Sequence, residues 1–376
     1  MKNRIKSAAY LILALSILVA TNATTAPAAT DKERSAKPEN ICPEGTRQPW
    51  LWPFDWTSAW NTPIGTGAQF GAPTHPMTRS LQKVSKFWVY PGIAMHQATP
   101  GDPLQKMEVQ SLNGGEKGVL EILAPAGIIG ESGPDKNVVV IDPSGYRTDQ
   151  FIVFEGISGA YTAELSRKSS LLETGVASYD TTGKKCVLSI GTRAFGGDNA
   201  GGLIRKWELE EAGSINHAIA LDLSSFQLSQ DIVWPASCKD RFSFLNWGAI
   251  PYGQLFAIPP DADITTQGLS SYGQKVGQAM QRYGAYVVDR QGAKAMSIQT
   301  DQYVSKEVIE ILREDFPALV RQLRPVLNNT FAASTKNHAA GGGQPIAPHA
   351  PPMCYKGKML GGGRGLDAPG LSGEKQ

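Results

Sequence analysis

Residues 202–223 read GLIRKWELEEAGSINHAIALDL: a short acidic helix, a glycine stop, then an apolar strand. Leu203, Ile204 and Trp207 give the helix an apolar stripe, and Glu208, Glu210 and Glu211 give it a wet side. Gly213 stands just past the run, where a left-handed C-cap costs glycine least. From 214 to 223 the text alternates. Ile215, His217, Ile219, Leu221 and Leu223 share one face, and Asn216, Ala218, Ala220 and Asp222 share the other. His217 thus enters a row of branched residues. Either its ring nitrogens are satisfied in the core, or burial and a charged neighbour tune it as a general base or acid. Arg205, Glu208 and Asp289 are the neighbours to look for. Ala218 and Ala220 are small and leave room for a ligand above Asn216.

Upstream, from 118 to 191, short β-prone runs at 119–123, 138–141, 151–154, 161–165 and 186–190 alternate with the turn texts PSG, EGISG and TTG. This spacing predicts a mainly β protein, an antiparallel β-sandwich or jelly-roll-like core with a few peripheral helices. Helices are expected at 270–283, with a serine N-cap and Gly284 past its end, at 305–316, and at 317–323. Further strands are expected at 87–90, 231–238, 254–258 and 285–290.

Three other stretches hold chemistry-bearing residues. Residues 50–62 pack Trp50, Trp52, Trp56 and Trp60 beside Asp55 and Asn61. They form either a plug on the end of a sheet or an aromatic platform for sugar rings. After the strand at 87–90, a loop is expected to hold His96 and Asp102. The glycine-rich run 191–203 lacks the phosphate-loop ending, so its glycines serve a close backbone approach. There Asp198 is a candidate substrate contact, and Arg193, with Arg205 beyond it, is placed to grip a carboxylate.

The chain has 376 residues and a formal charge of +2, with no basic stripe, so nucleic acid is not expected as a partner. Lys2, Arg4 and Lys6 precede an apolar run at 8–20 that is too short to span a bilayer, followed by small residues at 26–28. Residues 1–28 therefore read as a signal peptide, 29–45 as a flexible segment, 46–330 as one β-rich domain and 331–376 as a Gly/Pro-rich tail. The expected location is secreted or periplasmic, with no membrane contact after leader removal. The four cysteines are widely spaced, and an oxidising compartment suggests two disulfides. Cys42–Cys354, joining the ends, and Cys186–Cys238 are the expected pairs. No metal site and no cofactor are expected, since the five histidines form no ligand motif.

The combination AWNTPIG, GGLIRKWELEEAGSINHAIAL, VWPAS, IPYG and QRYGAYVVDRQG resembles a family of exported bacterial-type proteins of unassigned function. Its pattern falls on Gly202, Leu203, Ile204, Arg205, Glu208, Gly213, Ile215, His217, Ala218 and Ile219, and on Tyr283, Gly284 and Asp289. The resemblance implies one unit over roughly 60–352 and groups His217, Arg205, Tyr283 and Asp289 into one constellation.

The resulting expectation is an exported enzyme that cleaves an acidic polysaccharide by β-elimination. Arg205 or Arg193 neutralises the uronate, His217 takes the proton and Tyr283 serves the leaving oxygen. Asp289 completes the catalytic set, with Arg193, Asp198, Asn216, Trp60 and His96 as substrate contacts. The alternatives are a non-catalytic carbohydrate-binding or envelope protein, and a glycoside hydrolase using Asp198 and Asp289 as its carboxylates.

Overall fold

The computed structural model describes residues 42–112, 116–133, 135–152, 154–157, 160–177, 189–292 and 294–360. The expected leader and Cys186 lie outside them. The strands in chain order are β1 (Lys86–Gln97), β2 (Leu104–Leu112), β3 (Glu116–Leu123), β4 (Val138–Ile141), β5 (Arg147–Ile152), β6 (Glu155–Ile157), β7 (Ala160–Ser170) and β8 (Ile219–Ser224). Then come β9 (Leu228–Ile232), β10 (Ile250–Tyr252), β11 (Leu255–Ala257), β12 (Ala285–Gln291), β13 (Ala295–Asp301), β14 (Arg324–Pro325), β15 (Cys354–Tyr355) and β16 (Lys358–Met359).

Twelve of these strands form one sheet in the order β14-β11-β12-β8-β13-β1-β4-β5-β7-β2-β3, with β6 on β7. The protein is strand-rich, as its turn-laden text predicts. The sheet is mixed, however, and not the antiparallel ladder expected. The pairs β1–β13, β1–β4, β8–β12 and β2–β7 run parallel. Parallel neighbours need crossovers, and the helices supply some of the intervening chain.

β1 spans two halves of the sheet. Its first part pairs with β13 and its last four residues, from Ala94 to Gln97, pair with β4. The register shifts between Pro91 and Ile93, at Gly92. A Cβ on Gly92 would stand 2.5 Å from the Gln299 side chain, so the bend needs glycine. Pro91-Gly92 reads as a turn in sequence, which is why the strand appeared to stop at Tyr90. His96 consequently lies on β1, buried, with Nε2 3.1 Å from the Ile129 carbonyl, and not in a loop.

The larger core lies under the first half of the sheet. Val89, Ile298, Leu221 and Val288 join Val276, Met280, Leu312 and Phe316 of the helices Ser271–Arg282 and Lys306–Gln322. The second of these is one helix with Pro317 inside it, where two had been expected. Ser270 caps the first, its hydroxyl accepting from Gly273 N–H. Ser270 also donates from its hydroxyl to Asp315, which ties the two helices together.

The tryptophan-rich run is a plug. Trp50, Trp56 and Trp60 are buried, and Trp60 stands edge-on to Phe195 and Tyr286. Asn61 donates to the carbonyls of Pro53, Phe54 and Asp55, which leaves no sugar-binding role for its amide. Trp60 is therefore not a substrate contact: its indole is enclosed by the core.

The chain beyond Asn329 is packed, not extended, as far as Leu360. Phe331–Lys336 is helical, Ala340 N–H donates to Pro63, and Cys354 N–H donates to Arg47. Cys42–Cys354 is a disulfide as expected, closing a separation of 312 residues. Among the described residues no helix is long and apolar enough to cross a membrane.

In the stretch 202–223, the helix is Lys206–Glu210 and the strand begins only at Ile219. Gly202 has φ +69°, and a Cβ there would meet Ala220 N at 2.4 Å and Trp60 Cζ3 at 2.5 Å. Gly202→Ala is expected to cost about 2 kcal/mol or more, read as a lowered denaturation midpoint with an unchanged m-value.

Candidate active site

A single registered row of side chains crosses the first half of the sheet. Trp88 of β1 pairs with Ser297 of β13, Ser297 with Asp222 of β8, and Asp222 with Asp289 of β12. Registered partners point to the same face of a sheet. Two residues along the strands, Tyr90 pairs with Gln299 and belongs to the same face. The opposite face, with Val89, Leu221 and Ile298, feeds the core.

The run Tyr-Val-Val-Asp on β12 reaches this row through a bulge. Val287 pairs with Leu221 and Asp289 with Asp222, so Val288 is the extra residue. The bulge buries both valines and turns Asp289 to the polar face.

A cleft of about 150 Å³ opens over this row. Its floor holds Asp222, Asp289, Arg193, Tyr90 and Gln299, and the loop bearing Glu131 and Asp135 faces it. Trp88, at 39 % exposure, stands at the rim. The glycine-rich run supplies Arg193, whose Nη2 donates to the carbonyls of Asn199 and Gly201 at 3.2 and 3.3 Å. Its Nη1 lies 4.0 Å from Asp222 Oδ1, and both Nη1 and Nε are buried without a hydrogen-bond partner.

The two aspartates differ in their surroundings. Asp222 is buried, and its Oδ2 accepts from Ser297 Oγ at 2.9 Å and Gln299 Nε2 at 2.8 Å. Gln299 Nε2 also lies 3.2 Å from the Tyr90 hydroxyl. Asp289 is half-buried and accepts from the backbone N–H groups of Ala194 and Arg290. Burial, and next the Asp222 charge, push the Asp289 carboxyl up to about 8. Burial raises Asp222 too, opposed by Arg193, Ser297 and Gln299, which favour its charge. The pair therefore shares one negative charge, centred on Asp222, and Asp289 keeps the proton. Burial also raises the Tyr90 phenol, with the Asp222 charge adding to it.

The expected constellation of His217, Arg205, Tyr283 and Asp289 is divided among three networks. His217 is 5 % exposed. Its Nε2 meets Glu208 Oε1 at 3.0 Å and its Nδ1 meets the Ala218 carbonyl at 2.9 Å. Glu208, one of the neighbours sought, thus holds it, and Glu208 Oε2 accepts the Arg205 N–H. Burial lowers the imidazole, but the Glu208 charge, the Glu208 hydrogen bond and the Ala218 carbonyl outweigh it, so the net shift is upward. A histidine with both nitrogens engaged in the core is a cross-link, not an accessible base.

Arg205 is also closed off, with Nε on Asp301 at 3.0 Å, Nη1 on the Trp50 carbonyl and its guanidinium 5.0 Å from the Trp50 ring centre. Tyr283 is buried and donates to the Pro348 carbonyl at 2.8 Å. Asp198 is buried, accepting from Gln150, Ser169 and Ala200 N–H, and does not line the cleft as Asp289 does. Of the expected residues, Asp289 and Arg193 meet in the cleft. Asp222, Tyr90 and Gln299 were missed, although Asp222 had been assigned to the face opposite His217. Asn216 lines a different pocket. Among the described residues no three His, Cys, Asp or Glu side chains converge as metal ligands.

Comparison with protein-family models, curated proteins and solved structures gives no match.

Two stability measurements follow. His217→Ala leaves the buried Glu208 Oε1 without its partner and is expected to cost about 3 kcal/mol. Because the folded imidazole has a raised pKa, this contribution is complete below ~6.5 and fades as pH rises through the folded value; urea titrations across pH 5–9 read it. Asp289→Asn has the opposite sign. A carboxyl that stays protonated when folded but ionises when unfolded loses stability as pH rises from ~4 towards its folded value. The substitution is expected to stabilise the protein at pH 7 by about 1 kcal/mol, allowing for solvent screening at this half-buried group, or ~1–2 °C for a chain of this length. A wild-type profile flat over that range contradicts it.

Proposed function

We propose that the protein is an exported carbohydrate-active enzyme that hydrolyses a glycosidic bond in this cleft. The observation that carries the reading is the registered Asp222–Asp289 pair beneath an open cleft, with Asp289 the member that reaches solvent. In hydrolysis one carboxylic acid protonates the leaving oxygen and a second carboxylate across the bond activates water. Asp289 suits the acid, because its proton survives to neutral pH. Asp135, an exposed residue lining the same cleft, is the candidate base; burial, and next the Asp240 charge, raise its carboxyl too, but it stands in more water than Asp289. Asp222 acts through Asp289, holding the proton on it, and is a positioning residue. Trp88 offers an indole face on which a pyranose ring stacks.

β-Elimination on an acidic polysaccharide is the second reading. It is favoured by Tyr90 and by the Arg193 Nε and Nη1, which make no hydrogen bond, on the same floor, since that reaction needs a cation for the uronate and a proton carrier.

Assays of the purified protein on neutral and acidic polysaccharides separate the two. Hydrolysis predicts new reducing ends without unsaturated-uronate absorbance, and loss of ~10²-fold or more in kcat in Asp289→Asn and Asp135→Asn. Asp222→Asn is expected to retain the reaction but to move the alkaline limb of the pH profile downward, because Asp289 then gives up its proton sooner. Reducing ends accompanied by the absorbance support elimination. No turnover on a broad panel, or turnover indifferent to Asp289→Asn, contradicts the assignment.

A further inference from the structure

A second pocket, of about 270 Å³, lies between the N-terminal segment and the loop that leads into β8. Its walls include Gln48, Trp52, Trp207, Ser214 and Asn216. It is separate from the cleft, with which it shares no lining residue.

The pocket's chemistry is uncharged. Arg47 is at its edge, but that guanidinium is consumed by the carbonyls of Pro351, Trp52 and Phe54. It also lies 5.5 Å from the Trp52 ring centre, so it is a strut for the indole and not a ligand for an anion. What remains is two half-buried indoles with amide and hydroxyl groups around them. Ser214 Oγ donates to Asn216 Oδ1 at 2.9 Å, which fixes the Asn216 carboxamide with its Nδ2 as a donor.

Gln48 supplies an independent sign of a ligand. It is only 6 % exposed, and its Oε1 is buried with no hydrogen-bond partner. An orphaned buried acceptor costs on the order of 1–3 kcal/mol, and a hydroxyl donor entering the pocket relieves it. An apolar ligand would leave it orphaned, and an anion would add a second acceptor beside it.

We infer that this pocket is a second carbohydrate site, taking an uncharged sugar ring stacked on indole, with Gln48 Oε1 accepting from a hydroxyl and Asn216 donating to another. The inference shares with the proposed function only the premise that the ligand is a glycan. The site serves to hold a polymer on the protein away from the cleft.

The test uses the full-length mature protein carrying Asp289→Asn, so that turnover in the cleft does not consume the probe. Cellohexaose, xylohexaose and mannohexaose are each titrated to 10 mM, with calorimetry and the indole N–H resonances as readouts. At least one is expected to bind saturably. Gln48→Leu, which removes the acceptor at similar volume, and Asn216→Ala, at a half-exposed position that folding tolerates, are each expected to weaken binding tenfold or more. No saturable binding by any of the three, or weakening of less than tenfold in both variants, overturns the inference. Saturable binding lost in these variants stands even if the cleft proves inert, and turnover in the cleft stands even if none of the three binds.

Discussion

Two aspartates side by side on neighbouring strands cannot both be charged where water is scarce. Strands in a sheet lie ~4.8 Å apart, and at that separation like charges in a poorly solvated site repel by several kcal/mol. Asp222 and Asp289 meet this condition through hydrogen-bonded register. The surroundings decide which of them yields. Ser297, Gln299 and Arg193 all favour charge on Asp222. Asp289 has backbone donors alone, against which stand burial and then the charges of Asp222 and Asp135. The sheet thus builds an acid at the cleft floor from residues that are separately unremarkable.

The architecture around the pair follows from that need. Among the described residues β1 is the strand that joins both halves of the sheet, and the cleft opens beside its bend. Gly92 lets the bend pass the Gln299 side chain, and Gln299 in turn reaches both Asp222 and Tyr90. The bulge at Val288 gives the core two valines and still delivers Asp289 to the cleft. The segment from Arg205 to His217 has another task. Through Arg205–Asp301 and His217–Glu208 it pins the approach to β8, and so the position of Asp222, with buried polar contacts.

Much of the local structure is legible in the sequence. The helix at Ser271–Arg282 announces itself by its cap, its period and Gly284. The runs at 119–123 and 138–141 lie within β3 and β4, and the terminal cysteines do pair. The alternation holds within β8, where Asp222 faces away from Leu221, but His217 precedes the strand and lies on neither of its faces. Legibility fails where distant chain meets. Nothing local distinguishes a parallel from an antiparallel neighbour, because both have a side-chain period of two. β13, AMSIQTD, passed unread because it is wholly buried yet carries serine, glutamine and aspartate on its length. Those polar residues are the ones that serve Asp222 and Arg205. His217 drew attention by being a histidine among aliphatics, and the sequence could not reveal that Glu208 already occupied its outer nitrogen.

Asp289 holds its proton because burial, and next the Asp222 charge beside it, oppose its ionisation. The direct measurement is a carboxyl-carbon NMR titration of ¹³C-aspartate-labelled protein, with Asp289→Asn used to assign the signal and Asp222→Asn as the comparison. The expected Asp289 midpoint is about 8 in the wild type; it falls when Asp222 is replaced but stays above the ordinary aspartate range, because burial remains. An Asp289 signal titrating near ~4 in both proteins would contradict it.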